Sequence, residues 1–125
     1  MECVPPEQQV TIEEHPISME TADGLTLRGS RLLGPGRPKA AVVLAHGYAE
    51  HAGRYDVISR VLAASRFAVY AVDHRGHGQS DGERCFVERF DQYVDDLGLV
   101  VDLARREHAG KPCYLVGHSM GGLIA

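Results

Sequence analysis

Short, unbroken apolar runs alternate along this chain with stretches whose hydrophobic positions recur at helical spacing. Ala40 to Ala45 reads AAVVLA, the pattern of a strand covered on both faces in a parallel sheet. FAVYAV, from Phe67, is a second such strand, and CYLV, from Cys113, is a third. Between the first two, Val57, Ile58, Val61 and Leu62 share one face at i, i+1, i+4 and i+5, which predicts a helix from about Tyr55 to Ser65. Between the second and third, Tyr93, Leu97, Val100 and Ala104 form the apolar face of a helix that starts near Asp91 and is closed by Gly110 and Pro112. Asp95, Asp96, Asp102 and Arg106 lie largely off that face and are expected in solvent. GHSMGGLIA then turns into a third helix.

Ahead of these elements, two extended runs, His15 to Thr21 and Leu25 to Leu33, flank Ala22-Asp23-Gly24. Asp-Gly between extended runs predicts a β-hairpin. The order is therefore a β-hairpin followed by βαβαβα, an α/β fold with a mostly parallel sheet and helices on its faces. Residues 1–14, with Pro5-Pro6, are expected to be a flexible leader, and 15–125 one structural unit without repeats or an internal boundary.

Composition narrows the class. The net charge of −4 gives no electrostatic reason to expect nucleic acid as a partner. The three cysteines, Cys3, Cys85 and Cys113, are widely spaced and without a CxxC pair, as free thiols of a reducing compartment are. No apolar run reaches the roughly eighteen residues of a membrane span, and the acidic N-terminus is unlike a signal peptide. A cytoplasmic, soluble protein is expected.

The chemistry concentrates in Gly117-His118-Ser119-Met120-Gly121, a G-x-S-x-G with a strand before it and a helix after. A strand that turns sharply into a helix pushes the middle hydroxyl outward, and a Cβ two residues to either side would strike neighbouring backbone. Gly117 and Gly121 fill those slots, and Gly122 is expected to ease the helix towards the sheet. The plainer alternative is a glycine-rich turn whose serine caps the helix. The stretch is not G-x-G-x-x-G, and no GK[ST] is present, so neither nucleotide-binding loop fits. His46-Gly47-Tyr48 directly follows strand AAVVLA, the place from which such a site draws an oxyanion-binding N–H; the second would be the amide of Met120. The His46 imidazole is expected to be tied to backbone.

Three blocks, HGYAEHAGRY, DHRGHGQSDGER and GHSMGG, together resemble the monoacylglycerol lipase and lysophospholipase group of α/β-hydrolases, from about residue 15 to the end. The resemblance implies Ser119 as nucleophile, the Tyr48 and Met120 amides as oxyanion hole, and Gly117 and Gly121 as elbow support. It implies hydrolysis of long-chain fatty-acid esters, monoacylglycerol or lysophospholipid, with neither metal nor organic cofactor, and transient membrane-surface contact in the complete enzyme. It also implies that Asp73, His74 and His77 support the site without reacting. Glycines around His74 and His77, and no third ligand nearby, speak against a metal there. Glu50, His51, Arg54 and Tyr55 are expected to form a packed network, and His118 to point away from its neighbour.

Members of this group order their triad as nucleophile, acid, histidine. Here all seven histidines precede Ser119, and no acidic residue follows it. The expectation is an N-terminal portion of an α/β-hydrolase, its C-terminal half missing, poorly folded and inactive by itself. A non-catalytic binding protein on the same scaffold, or a serine peptidase or thioesterase, is the alternative. Dehalogenases and epoxide hydrolases of this fold carry aspartate at the nucleophile position, so Ser119 argues against them.

Overall fold

The computed structural model describes residues 11–125. Cys3 and most of the expected leader therefore lie outside the described residues. Strand β1 (Glu13–Glu20) begins within the last two leader positions and pairs antiparallel with β2 (Thr26–Leu33), Glu20 opposite Thr26 and Glu13 opposite Leu33. The hairpin loop is tighter in chemistry than its Asp-Gly alone suggests. The Thr21 N–H donates to the Leu25 carbonyl at 2.8 Å, the Thr21 hydroxyl caps the Leu25 N–H at 3.0 Å, and Gly24 takes φ +88.

β3 (Ala40–Ala45), β4 (Phe67–Val72) and β5 (Cys113–Gly117) complete a five-stranded sheet of order β1-β2-β4-β3-β5. The β3–β4 and β3–β5 pairs are parallel, whereas β2 meets β4 antiparallel, which joins the hairpin to the parallel part. The continuous apolar run of β3 now has its reason. Ala41, Val43 and Ala45 enter one core with Tyr70, Tyr93, Leu97 and Val100, while Val42 and Leu44 enter a second with Leu32, Ala63 and Val69. β5 lies on the edge with Tyr114, Leu115 and Val116 exposed.

Helix α1 (Asp56–Ala64) is preceded by a 3-10 turn, Ala52–Tyr55, so its first turn starts later than the spacing indicates. Its predicted apolar face meets the sheet only in part: Leu62 packs against the second core, but Val57, Ile58 and Val61 are exposed, and Ser59 and Ala63 are buried. Close approach selects small residues here, since the Ala63 carbonyl packs directly against Gly34 after β2. Helix α2 (Phe90–Glu107) buries Tyr93, Leu97, Val100 and Ala104, as expected. The Gln92 side chain accepts the Arg89 N–H at its start. Asp96 departs from the expectation: it is 3% exposed, its carboxylate gripped by Arg75 at 2.6 and 2.8 Å. Helix α3 (Met120–Ile124) is a little over one turn. Among the described residues no helix is long and apolar enough to cross a membrane.

Candidate active site

Because β3, β4 and β5 run parallel, their C-terminal ends meet at one edge of the sheet, and β3 lies where strand order reverses between β4 and β5. Such a switch point opens a crevice outside the strand ends. Ser119 stands there, exposed, with φ 56 and ψ −120, between β5 and α3. A non-glycine residue holds such a conformation only when its surroundings impose it, at a cost of about 1–3 kcal/mol. The Ser119 side chain makes no capping bond to the helix, which removes the reading of a mere N-cap.

The glycines around it are where sterics need them. A Cβ on Gly121 would land on the Ala45 and His46 carbonyl oxygens, and one on Gly117 would overlap Gly121 and the Gly122 nitrogen. Gly122 is different, since a Cβ there would come no closer than 3.4 Å to Gly117. It does not serve the packing against the sheet expected of it.

The elbow is fastened to the end of β3. The His118 N–H donates to the Ala45 carbonyl at 3.1 Å, and a Cβ on Gly47 would stand 3.4 Å from the His118 carbonyl. The Gly47-Tyr48 turn therefore lies against the elbow. As first residue of α3, Met120 has no intrahelical acceptor for its N–H. Among the described residues the Tyr48 N–H likewise donates to no protein group. Neither amide is therefore engaged by a protein acceptor among the described residues.

Glu50 holds this turn in place. Its Oε1 accepts the Gly47 N–H and the Tyr55 hydroxyl, both at 2.8 Å, and its other oxygen pairs with Arg54 at 3.0 Å. Those bonds, the Tyr55 hydroxyl first, keep its carboxyl below the usual carboxylate range. The His118 Nδ1 lies 3.0 Å from the Tyr55 hydroxyl oxygen, so its ring turns to this network. His51 stays exposed and joins through its carbonyl, which accepts the Arg54 N–H at 3.2 Å.

Behind the turn, three histidines pack together. The His74 N–H donates to Nε2 of His46 at 2.9 Å, which leaves the proton on Nδ1, and Nδ1–H donates to the Gly47 carbonyl at 2.7 Å. The His46 ring is thus bound to backbone, as expected. His74 Nε2 donates to the His46 carbonyl at 2.9 Å, and His77 Nδ1 to the Arg75 carbonyl at 2.9 Å. Asp73 joins two segments, accepting the Ala52 N–H at 2.7 Å and the Gln79 N–H at 2.9 Å. All four side chains are buried and bonded to backbone groups.

Burial drives the His74 imidazole down from 6.5 to about 4, and burial lowers His46 as well. The unfolded chain takes up protons as pH falls through 6.5 while the folded chain stays neutral there, so stability is full above pH 6.5 and declines towards pH 4. The His74 shift corresponds to about 3 kcal/mol. Urea unfolding of the protein at pH 7.5 and pH 5, where carboxylates stay ionised, is expected to show most of that loss, and His74→Gln to flatten it. Equal stability at both pH values would contradict the assignment.

Two features escaped the sequence reading. Asp96 sits at i+3 from Tyr93 and i−4 from Val100, so helical spacing alone puts it on the buried face. The Tyr48 side chain, read only for its amide, donates its hydroxyl to the Cys85 carbonyl at 2.9 Å. No local pattern announces a bond across 37 positions.

The family model for serine aminopeptidase S33 matches residues 36–125. Among curated proteins, the chain is 47% identical over 87 residues to the monoacylglycerol lipase of Mycolicibacterium smegmatis, covering 70% of this chain and 31% of that protein. It is 47% identical over 90 residues to the monoglyceride lipase of Homo sapiens, covering 72% and 30%. The chain thus spans about a third of the length of these relatives. Among solved structures, a thermostable carboxyl esterase from Bacillus coagulans superposes with a TM-score of 0.82 at 23% identity, over 92% of this chain and 39% of that one, which shows the fold. Strand order, elbow and family model agree: the chain belongs to the serine aminopeptidase S33 family and has the α/β-hydrolase fold.

Proposed function

We propose that this chain carries the nucleophilic part of a serine ester hydrolase acting on monoacylglycerols or lysophospholipids. The observation that carries the reading is Ser119, exposed and backbone-strained at the parallel strand ends, on an elbow whose His118 N–H is bonded to the Ala45 carbonyl that leads into Gly47-Tyr48. In the reaction, Ser119 Oγ bonds to the ester carbonyl carbon and its proton passes to a base. The carbonyl oxygen becomes an oxyanion held by the two amides. The ester C–O bond then breaks, and the base returns the proton to the leaving alcohol. Water repeats the sequence to release the fatty acid. No cofactor is required. The lipid class rests on the lipase relatives, whose names give monoacylglycerol as substrate.

The base and its acid partner belong, in this reading, outside these 125 residues. His46, His74 and His77 are buried and bound to backbone, and His118 faces Tyr55. The test uses the chain completed by the remaining two thirds of the Mycolicibacterium smegmatis lipase. This completed protein is expected to hydrolyse a long-chain monoacylglycerol and to be labelled by a fluorophosphonate at Ser119. The 125-residue chain alone is expected to turn over a p-nitrophenyl ester no faster than its Ser119→Ala variant. A folded completed protein that is neither active nor labelled would favour a binding role instead.

A further inference from the structure

The loop that carries the candidate oxyanion amide is held from its far side by its own side chain. Tyr48 is 55% exposed, yet both ends of its side chain are engaged. Its hydroxyl donates to the Cys85 carbonyl at 2.9 Å, and its ring meets His77 edge-on with centroids 5.6 Å apart. Both contacts are themselves anchored. His77 is fixed through its Nδ1 bond to Arg75, and the Cys85 N–H donates to the Gly76 carbonyl at 2.9 Å. Cys85 holds φ +57, a conformation that presents its carbonyl at a set angle and that a non-glycine residue adopts only under constraint. The next residue after Tyr48, Ala49, is also at positive φ (60). The turn is therefore constrained from two sides, by Glu50 at Gly47 and by the Tyr48 hydroxyl at Cys85.

From this geometry we propose that the Tyr48 side chain is a positioning residue: its bond to the Cys85 carbonyl, 37 positions away, sets the direction of its own backbone N–H. This rests on the ester-hydrolase reading. An amide is useful only where the oxyanion forms, and a misplacement of about 1 Å costs on the order of a hundredfold in rate. Tyr48→Phe keeps the ring on His77 and removes the hydroxyl. Tyr48→Ala removes both contacts and leaves the amide itself intact.

The test is made in the completed protein, with rates expressed per fluorophosphonate-labelled serine so that misfolded molecules do not count. The wild-type and Ser119→Ala proteins settle the underlying reading first. Tyr48→Phe is then expected to lower kcat about tenfold and Tyr48→Ala about a hundredfold, with KM unchanged. Variants that keep kcat within twofold of wild type would overturn the proposal. So would a rise in KM at constant kcat, which would make the ring a substrate contact.

Discussion

Replacing Ser119 by alanine in the completed protein is expected to lower kcat for a monoacylglycerol by roughly a millionfold, or about 8 kcal/mol. The size follows from what the alanine leaves behind. The Tyr48 and Met120 amides and the crevice remain, so binding persists and KM should change little. What goes is the covalent route itself. Water attacking in place of Oγ would still profit from the two amides, so a rate about a thousandfold to ten-thousandfold above the uncatalysed reaction is expected to survive. The backbone strain at position 119 is imposed by Gly117, Gly121 and the Ala45 carbonyl, none of which alanine alters, so the fold is expected to persist. Equal kcat for the two proteins, measured by glycerol release, would remove Ser119 from the reaction.

The second large effect is on stability. Asp96→Ala is expected to cost about 3–5 kcal/mol in urea unfolding of the completed protein. Arg75 is 7% exposed at its side chain and Asp96 4%, so neither charge has water to fall back on. Asp96 supplies two of the guanidinium's bonds, at 2.6 and 2.8 Å, and Asp23 the other two, at 2.8 and 3.1 Å. The paired carboxylates drive Arg75 further above its ordinary value, and Arg75 holds Asp23 far below the usual carboxylate range. Removing Asp96 strands a buried cation that the half-exposed Asp23 only partly offsets. Burying an ion pair is itself expensive, so the double variant Arg75→Met with Asp96→Leu is expected to recover most of the loss. If the single variant were as stable as wild type, Arg75 would have to be far more hydrated than its burial indicates.

Much of this architecture was legible in residue pattern because it depends on local rules. AAVVLA and FAVYAV are apolar throughout because β3 and β4 are interior strands whose two faces enter the two cores. The elbow was legible for a related reason: backbone collisions at Gly117 and Gly121 admit no other residue, so the constraint is written into the sequence. What failed to show was set by distant partners. The stripe of Val57, Ile58, Val61 and Leu62 reads as a buried face, but only Leu62 reaches the core, and the small side chains of Ser59 and Ala63 take the closest contact. Asp96 was assigned to solvent by its charge, although its spacing matched the buried face. Its partner, Arg75, is 21 positions away in a loop, and only the folded chain brings the two together. The Tyr48–Cys85 bond belongs to the same class.

The carbonyl of Ala45 is a shared reference point. It receives the His118 N–H and lies under Gly121, while the chain leaving it runs straight into Gly47 and Tyr48. A shift of this strand end is therefore expected to carry the elbow and the Gly47-Tyr48 turn together. Substitutions deep in the sheet should accordingly weaken the protein long before they blunt its chemistry.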